Sequence, residues 1–272
     1  MPRRLAVRTI LPLFLLLLAC LYTFRFESPE TRSWPAKSVA RISTQTINGR
    51  VDVTSAADTL IFAGITRYAY GRNHDDAEKA LVNVVVTDTI IGSELRLVAS
   101  MPTAGSRPYG ASFAISTPES TGLDLNATNG GISVDGIAGS INAGTTNGKI
   151  SLTDTRGAAV LGTTNGEITT SGHSGSIDAQ TTNGAVRLDI ASLLPSEGAS
   201  VGTTNAAVEL FLPADVSATL DLTNTNGSIS LYDFGYVLNG TQSDHHAHVL
   251  IGTGTSVVTV TTTNGDITIR RR

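Results

Sequence analysis

The stretch GTTNGKI at 144–150 returns as GTTNGEI at 162–168 and as QTTNGAV at 180–186. Asn-Gly is a strong short-range hairpin signal, but three copies at one fixed spacing point to a repeat architecture. Asparagine followed by Gly, or in one case Ala, stands at Asn48, Asn129, Asn147, Asn165, Asn183, Asn205, Asn226 and Asn264. Aligned on that residue, the third position after it is Val51, Ile132, Ile150, Ile168, Val186, Val208, Ile229 and Ile267, all β-branched and aliphatic. The sixth position before it is Ile42, Leu123, Ile141, Ala159, Ile177, Ala199, Leu220 and Val258, all apolar. Each unit is therefore two short strands of period two, apolar on one face and joined by a Thr-Asn-Gly corner.

Two architectures accept such a unit: an antiparallel meander, or a solenoid in which each unit of about 18 residues is one coil. A meander gives no reason for the same residue to return at the same place. In a solenoid, coils stack about 4.8 Å apart, so equivalent residues become neighbours and identical side chains form ladders. The expected fold is all-β: a single-stranded β-solenoid, or β-helix, with an N-terminal β cap. Its structural ladder runs through Asn129, Asn147, Asn165, Asn183, Asn226 and Asn264, with hydroxyl columns of Thr145–Thr146, Thr163–Thr164 and Thr181–Thr182 beside it. Glycine at each corner is expected to take a positive φ. The gap of 38 from Asn226 to Asn264 is read as an irregular coil at 231–254 before the last strand pair.

At 272 residues, with 40% hydrophobic and 15% charged, the chain is long enough to bury a core. A net charge of -4 with no basic surface argues against a nucleic-acid partner. The lone cysteine, Cys20, allows neither an intrachain disulfide nor a cysteine metal site.

MPRR at 1–4 followed by an uncharged run from Thr9 to Phe24 reads as an export signal or anchor, 1–24. LLAC at 17–20 resembles a bacterial lipobox, which makes Cys20 a lipidation candidate; LYTF after it suits an uncleaved anchor. Either reading places the remainder outside the cytoplasm, in the cell envelope and tethered to the membrane. Residues 25–41, rich in Pro, Ser and charge, read as a linker. The solenoid domain is expected over 42–270, with an irregular β insertion at about 54–118, and the RRR tail at 270–272 as a solvated end.

FAISTPESTGLDLNATNGGISVDGIAGSINAGTTNGKISL at 113–152 and LIGTGTSVVTVTTTNGDITIR at 250–270 resemble the putative adhesin family of bacterial β-solenoid domains. The resemblance spans about 39–270. It implies an exported or membrane-tethered β-solenoid and carries over no catalytic or ligand residue.

Chemistry-bearing clusters are sparse. DHHAH places Asp244, His246 and His248 as the nearest approach to a metal site, with both histidines on one strand face. A solvated histidine-rich loop explains them equally, and no metal or other cofactor is expected. Calcium rolls need an aspartate at a fixed place in each repeat, and here that column is asparagine. A β-helix carbohydrate-active enzyme needs two carboxylates converging on one face. Asp154, Asp178 and Asp189 occupy different places in their coils, and the column two after the asparagine is mixed, from Arg50 through Lys149 and Glu167 to Asp266. Sequons at Asn126, Asn226 and Asn239 are those expected of so Asn- and Thr-rich a chain. What remains is a polar, weakly charged surface suited to a glycan, cell-wall or protein partner. A non-enzymatic adhesion or binding module is the expected function; an envelope-stress or signalling accessory is the alternative, and the enzyme stands third.

Overall fold

The structure, a computed structural model, describes residues 22–233 and 237–272. Cys20 and the apolar run through Leu21 lie outside the described residues. The chain opens on β1 (Phe24–Pro35), a turn of 3-10 helix at Ala36–Ser38, β2 (Arg41–Thr46) and β3 (Val51–Ser55). An excursion follows: β4 (Leu60–Gly71), α1 (His74–Leu81), β5 (Val85–Ile91), β6 (Glu94–Ser100) and β7 (Tyr109–Thr117). The regular array begins with β8 (Gly122–Ala127), β9 (Ile132–Asp135), β10 (Ile141–Thr145), β11 (Ile150–Thr153), β12 (Ala159–Thr163) and β13 (Ile168–Ser174). It continues through β14 (Ile177–Gln180), β15 (Val186–Ser192), β16 (Gly198–Thr203), β17 (Val208–Leu212), β18 (Ala218–Asn224) and β19 (Ile229–Tyr232). The last elements are β20 (Val237–Gln242), β21 (His246–Ile251), β22 (Ser256–Thr262) and β23 (Ile267–Arg271).

These strands stack into two facing sheets, each coil giving one strand to each sheet. The first sheet runs β1-β4-β7-β3-β9-β11-β13-β15-β17-β23-β19, the second β20-β21-β18-β22-β16-β14-β12-β10-β8-β2-β6-β5. From β8 to β17 the coils pair in parallel and, apart from a bulge in β13, in register: Ile150 lies between Ile132 and Ile168, and Ile168 beside Val186. The fold is the all-β solenoid, with parallel sheets as coils require.

The core sits between the sheets, and its packing follows from the strand alternation. The first sheet contributes columns of Ile, Val and Leu such as Ile132, Ile150 and Ile168, each almost fully buried. On the second, large and small residues alternate down each column: Ile141, Ala159, Ile177 and Ala199 in one, Ala143, Leu161, Ala179 and Val201 in the next. A checkerboard of this kind fills the gap without stacking bulky side chains on one another.

Stacking order departs from chain order at both ends. β2 and β3 lie between the β6–β7 coil and the β8–β9 coil, so the first repeat abuts the second despite the excursion between them. β22 and β23 slip between the β16–β17 coil and the β18–β19 coil. The expected irregular coil before the last pair is instead a hairpin: β20 and β21 pair antiparallel, and β21 pairs antiparallel with β18. This leaves the final repeat inside the stack and the preceding one at its end. The insertion at 54–118 forms the cap, with β4 antiparallel to β7 on one sheet and β5 antiparallel to β6 on the other.

Residues 25–41 are a correction. They hold β1, which pairs antiparallel with β4 from Phe24↔Gly71 to Pro35↔Leu60. As the outermost strand of its sheet it carries the prolines and charges that keep an edge from pairing with other chains.

One buried titratable group sits at the second corner. His173 is fully buried on a bulge of β13, its Nδ1 2.9 Å from Thr155 Oγ1. Burial pushes its pKa down from the usual histidine value, against smaller upward pulls from the Ser176 carbonyl and Glu197. The unfolded chain therefore takes up the proton first, near pH 6.5. Stability is then full above that pH and falls as the pH drops through it, by at most about 1.4 kcal/mol per unit. Thermal melts from pH 7.5 to 5 are expected to fall more steeply for the native protein than for His173→Gln; parallel curves would contradict this.

Candidate functional site

The most regular surface is the corner edge carrying the asparagines. Each amide donates from Nδ2 to the Oδ1 of the coil before it: Asn129 to Asn48 at 2.8 Å, and Asn147, Asn165, Asn183 and Asn205 in turn at 2.7 Å. The line continues from Asn264 to Asn205 and from Asn226 to Asn264, both at 2.9 Å, in stacking order rather than chain order. At the cap it ends where Asn48 Nδ2 donates to the Tyr109 carbonyl at 2.8 Å. All eight asparagines share one hydrogen-bonded ladder.

Where two threonines precede the asparagine, at Asn147, Asn165, Asn183, Asn205 and Asn264, they divide their roles. The first is buried and donates to a backbone carbonyl of the coil below: Thr145 to Gly130 at 2.9 Å, Thr163 to Gly148 at 3.1 Å, Thr181 to Gly166 at 3.0 Å. The expected Thr-to-Thr hydroxyl column is thus replaced by a bond that satisfies a buried backbone acceptor. The second, as at Thr146, Thr164 and Thr182, is exposed. Thr163→Val is expected to cost about 1–2 kcal/mol in urea denaturation by orphaning the Gly148 carbonyl, while Thr164→Val shifts it by less than about 0.5. Equal effects would refute that division.

Corner glycines are a second correction. Positive φ is found at Gly136, Gly157 and Gly175 in the opposite corner; of the Asn-Gly glycines, Gly227 has one. At the others a Cβ would fall on a backbone carbonyl of the adjacent coil, as Gly166 would on Gly148 and Gly184 on Gly166. Close approach of stacked chains, not left-handed backbone, selects glycine there.

The outer sheet faces are shallow. Between Val160 and Val257 on the second sheet, Asp178 and Ser200 floor an open groove of about 380 Å³. The first sheet bears Arg187 over Phe211 and Arg270 over Tyr232, each guanidinium 4.5 Å from the ring centroid. Glu209 pairs with both arginines, and Arg272 reaches Asp189 at 3.0 Å. Arg270 and Arg272 are therefore bound back onto the sheet, contrary to a solvated tail, while Arg271 stays exposed.

The remaining sequence candidates are dispersed. His246 and His248 lie on the outward side of β21, with His246 Nδ1 3.2 Å from Thr223 Oγ1 and 3.9 Å from Asp221. Asp244 is exposed in the preceding turn. Among the described residues the grouping of possible metal ligands is His74, Asp75 and Glu78, all exposed on α1. Asp178 projects from the second sheet, Asp189 lies on the first, and Asp154 sits in a corner at φ 47°. On the ladder edge Lys149 and Glu167 pair at 2.9 Å, and bonds from Ser228 hold the Asp266 carboxyl below its usual pKa. What sequence reasoning missed is the aromatic and arginine cluster at the cap, whose members lie far apart in the chain.

A profile of the family described as Toastrack DUF4097 matches residues 117–270, from the end of β7 to the last strand. The chain belongs to this family. Among solved structures, a putative cell adhesion protein from Clostridium sporogenes is similar at 11% identity, over 91% of this chain and 100% of that chain, with a TM-score of 0.45. A putative adhesin from Bacteroides fragilis is similar at 12% identity, over 90% and 97%, with a TM-score of 0.38. A putative lipid binding protein from Parabacteroides distasonis is similar at 10%, over 89% and 96%, with a TM-score of 0.41. No curated protein matches the chain.

Proposed function

We propose that this family member is an exported, membrane-tethered solenoid that acts as a non-enzymatic binding module of the cell envelope. The observation that carries the reading is the ladder edge. It offers alternating amide and hydroxyl donors and acceptors at the spacing of stacked coils, with an exposed Thr before every ladder Asn but Asn48. Such a surface suits a repeating polar partner: a glycan or cell-wall strand, a phospholipid headgroup layer, or the edge of another protein's sheet. The scatter of Asp154, Asp178 and Asp189 over separate faces supports binding rather than hydrolysis, which needs convergent carboxylates. The tether rests on the uncharged run from Thr9 to Phe24 and on Cys20. No helix among the described residues is long and apolar enough to cross a membrane.

The test is sedimentation of the purified protein with insoluble peptidoglycan and on arrays of defined glycans. Retention by one polymer, reduced at least tenfold when Thr146, Thr164 and Thr182 become alanine, is the expected result. Release from every polymer tested would overturn the glycan and cell-wall reading, and turnover of a polysaccharide would replace it with the enzyme.

A further inference from the structure

The apolar run reaches the solenoid without a spacer. It ends at Phe24, which is also the first residue of β1. Tyr22, just outside the strand, is already fixed: the Arg107 guanidinium lies 4.6 Å from its ring centroid. Arg107 is itself held by the Tyr70 carbonyl at 3.2 Å, the Asp76 carbonyl at 3.0 Å and the Asp76 carboxylate at 2.9 Å. Arg25 lies 4.1 Å over Tyr68, and Phe24 and Phe26 pack against His74 at 5.4 and 5.0 Å. With the Tyr70 ring 6.2 Å from that of Tyr68, five of the fourteen aromatic residues of the sequence gather with two arginines where the chain enters the fold. Rings with a polar tip and arginines with long apolar stems favour the layer between hydrocarbon and water.

Strand polarity says which side of the solenoid this collar occupies. β1 is antiparallel to β4 and β4 to β7, so β1 runs parallel to β7, β3 and the array. Its start therefore lies on the edge where those strands begin, which is the asparagine edge. Tyr68 confirms the neighbourhood, donating its hydroxyl to the Asn48 carbonyl at 3.1 Å. The register gives the height. Phe24 pairs with Gly71, Ala69 with Tyr109, and Phe113 with Val51, so β1 overhangs the start of β3. That overhang is about six residues, or roughly 20 Å, of which the Asn-Gly corner takes back about half. The collar stands roughly 10 Å beyond the ladder, slightly more than the ~5–8 Å of one headgroup layer.

We propose that the solenoid lies on its side along the bilayer, its axis parallel to the membrane and its asparagine edge against the lipid headgroups. This rests on the tether reading and holds for an uncleaved anchor and for a lipid on Cys20 alike, because both lead directly into Tyr22 and β1. The edge is about 34 Å long over its seven steps. It presents amides and hydroxyls to phosphate and glycerol oxygens, while its cations are balanced, Arg50 by Asp52 and Lys149 by Glu167, with the Asp266 carboxylate farther along. In the tethered protein the headgroup layer is then the repeating polar partner that the edge meets, and both sheet faces stand away from the membrane.

The three lysines of the sequence are built-in probes. Lys149 lies on the asparagine edge, Lys79 on α1 beside the collar, and Lys37 beyond the far end of β1, and all are exposed. The full chain is reconstituted into phosphatidylethanolamine–phosphatidylglycerol vesicles, floated, and treated with a bulky, membrane-impermeant amine reagent. Relative to Lys37, Lys149 and Lys79 are expected to react at least threefold more slowly in vesicles than in mild detergent. The Ala207→Lys variant, placing an amine five rungs from the cap, is expected to show the same protection. Flotation with Lys149 and the Ala207→Lys amine as reactive as Lys37 overturns the orientation and leaves the tether standing. Failure to float overturns the tether and the orientation with it.

Discussion

Gly166→Val is expected to destabilise the protein by about 3 kcal/mol or more, lowering the melting temperature by roughly 6–12 °C. A Cβ at Gly166 has nowhere to go: it would overlap the Gly148 carbonyl, which also accepts the Thr163 hydroxyl. Relief requires the coils to separate at a corner that the ladder bond from Asn165 to Asn147 holds at 2.7 Å. Gly162, four residues earlier in the same repeat, meets nothing within 4 Å if given a Cβ. Gly162→Ala is therefore expected to be neutral or to stabilise slightly, since it stiffens the unfolded chain. Ala206 stands in the Gly166 column where the coil is longer, so a single methyl is accommodated there and Gly166→Ala should fall between the two. A Gly166→Val protein melting within about 2 °C of the native one would refute close approach as the reason for the glycine column.

The same contrast shows where sequence is informative. In-register stacking makes equivalent positions into neighbours, so selection acts on columns, and aligned asparagines expose both strands and both core columns. The bond partner of Thr163 was hidden, because a hydroxyl column and a hydroxyl-to-carbonyl bond demand the same repeated threonine. β1 was hidden because an edge strand protects itself with the Pro29, Glu27 and Arg25 that otherwise mark a linker. The ladder edge was legible residue by residue. The collar was not, since Tyr22, Tyr68 and Arg107 share no motif and meet only through the antiparallel cap.

Stacking order was hidden for a deeper reason, and it yields the larger effect. Exchanging two coils leaves every column occupied by the same kinds of residue: Leu220 and Leu222, or Val258 and Val260, fit equally well beside Ala199 and Val201. Only the non-repeating β20–β21 hairpin decides, by covering β18 and so making that strand the outer one. Removal of Ser256–Arg272 consequently takes out an interior coil. β16 and β18 both lose β22, and β17 and β19 both lose β23. Val258, Val260, Ile267 and Ile269 are fully buried. At about 1.5–3 kcal/mol each, their loss removes roughly 6–12 kcal/mol, comparable with the net stability of a whole domain. The truncated chain is expected to elute as aggregate and to lose its cooperative melt. If the stack instead followed chain order, the same deletion would trim one terminal coil and break a single interface. The freed β18–β19 coil has one escape, which is to close directly onto β16–β17. A soluble truncation melting within about 3 °C of the native protein would show that this happens, and that the hairpin, not the final repeat, holds the end of the solenoid together.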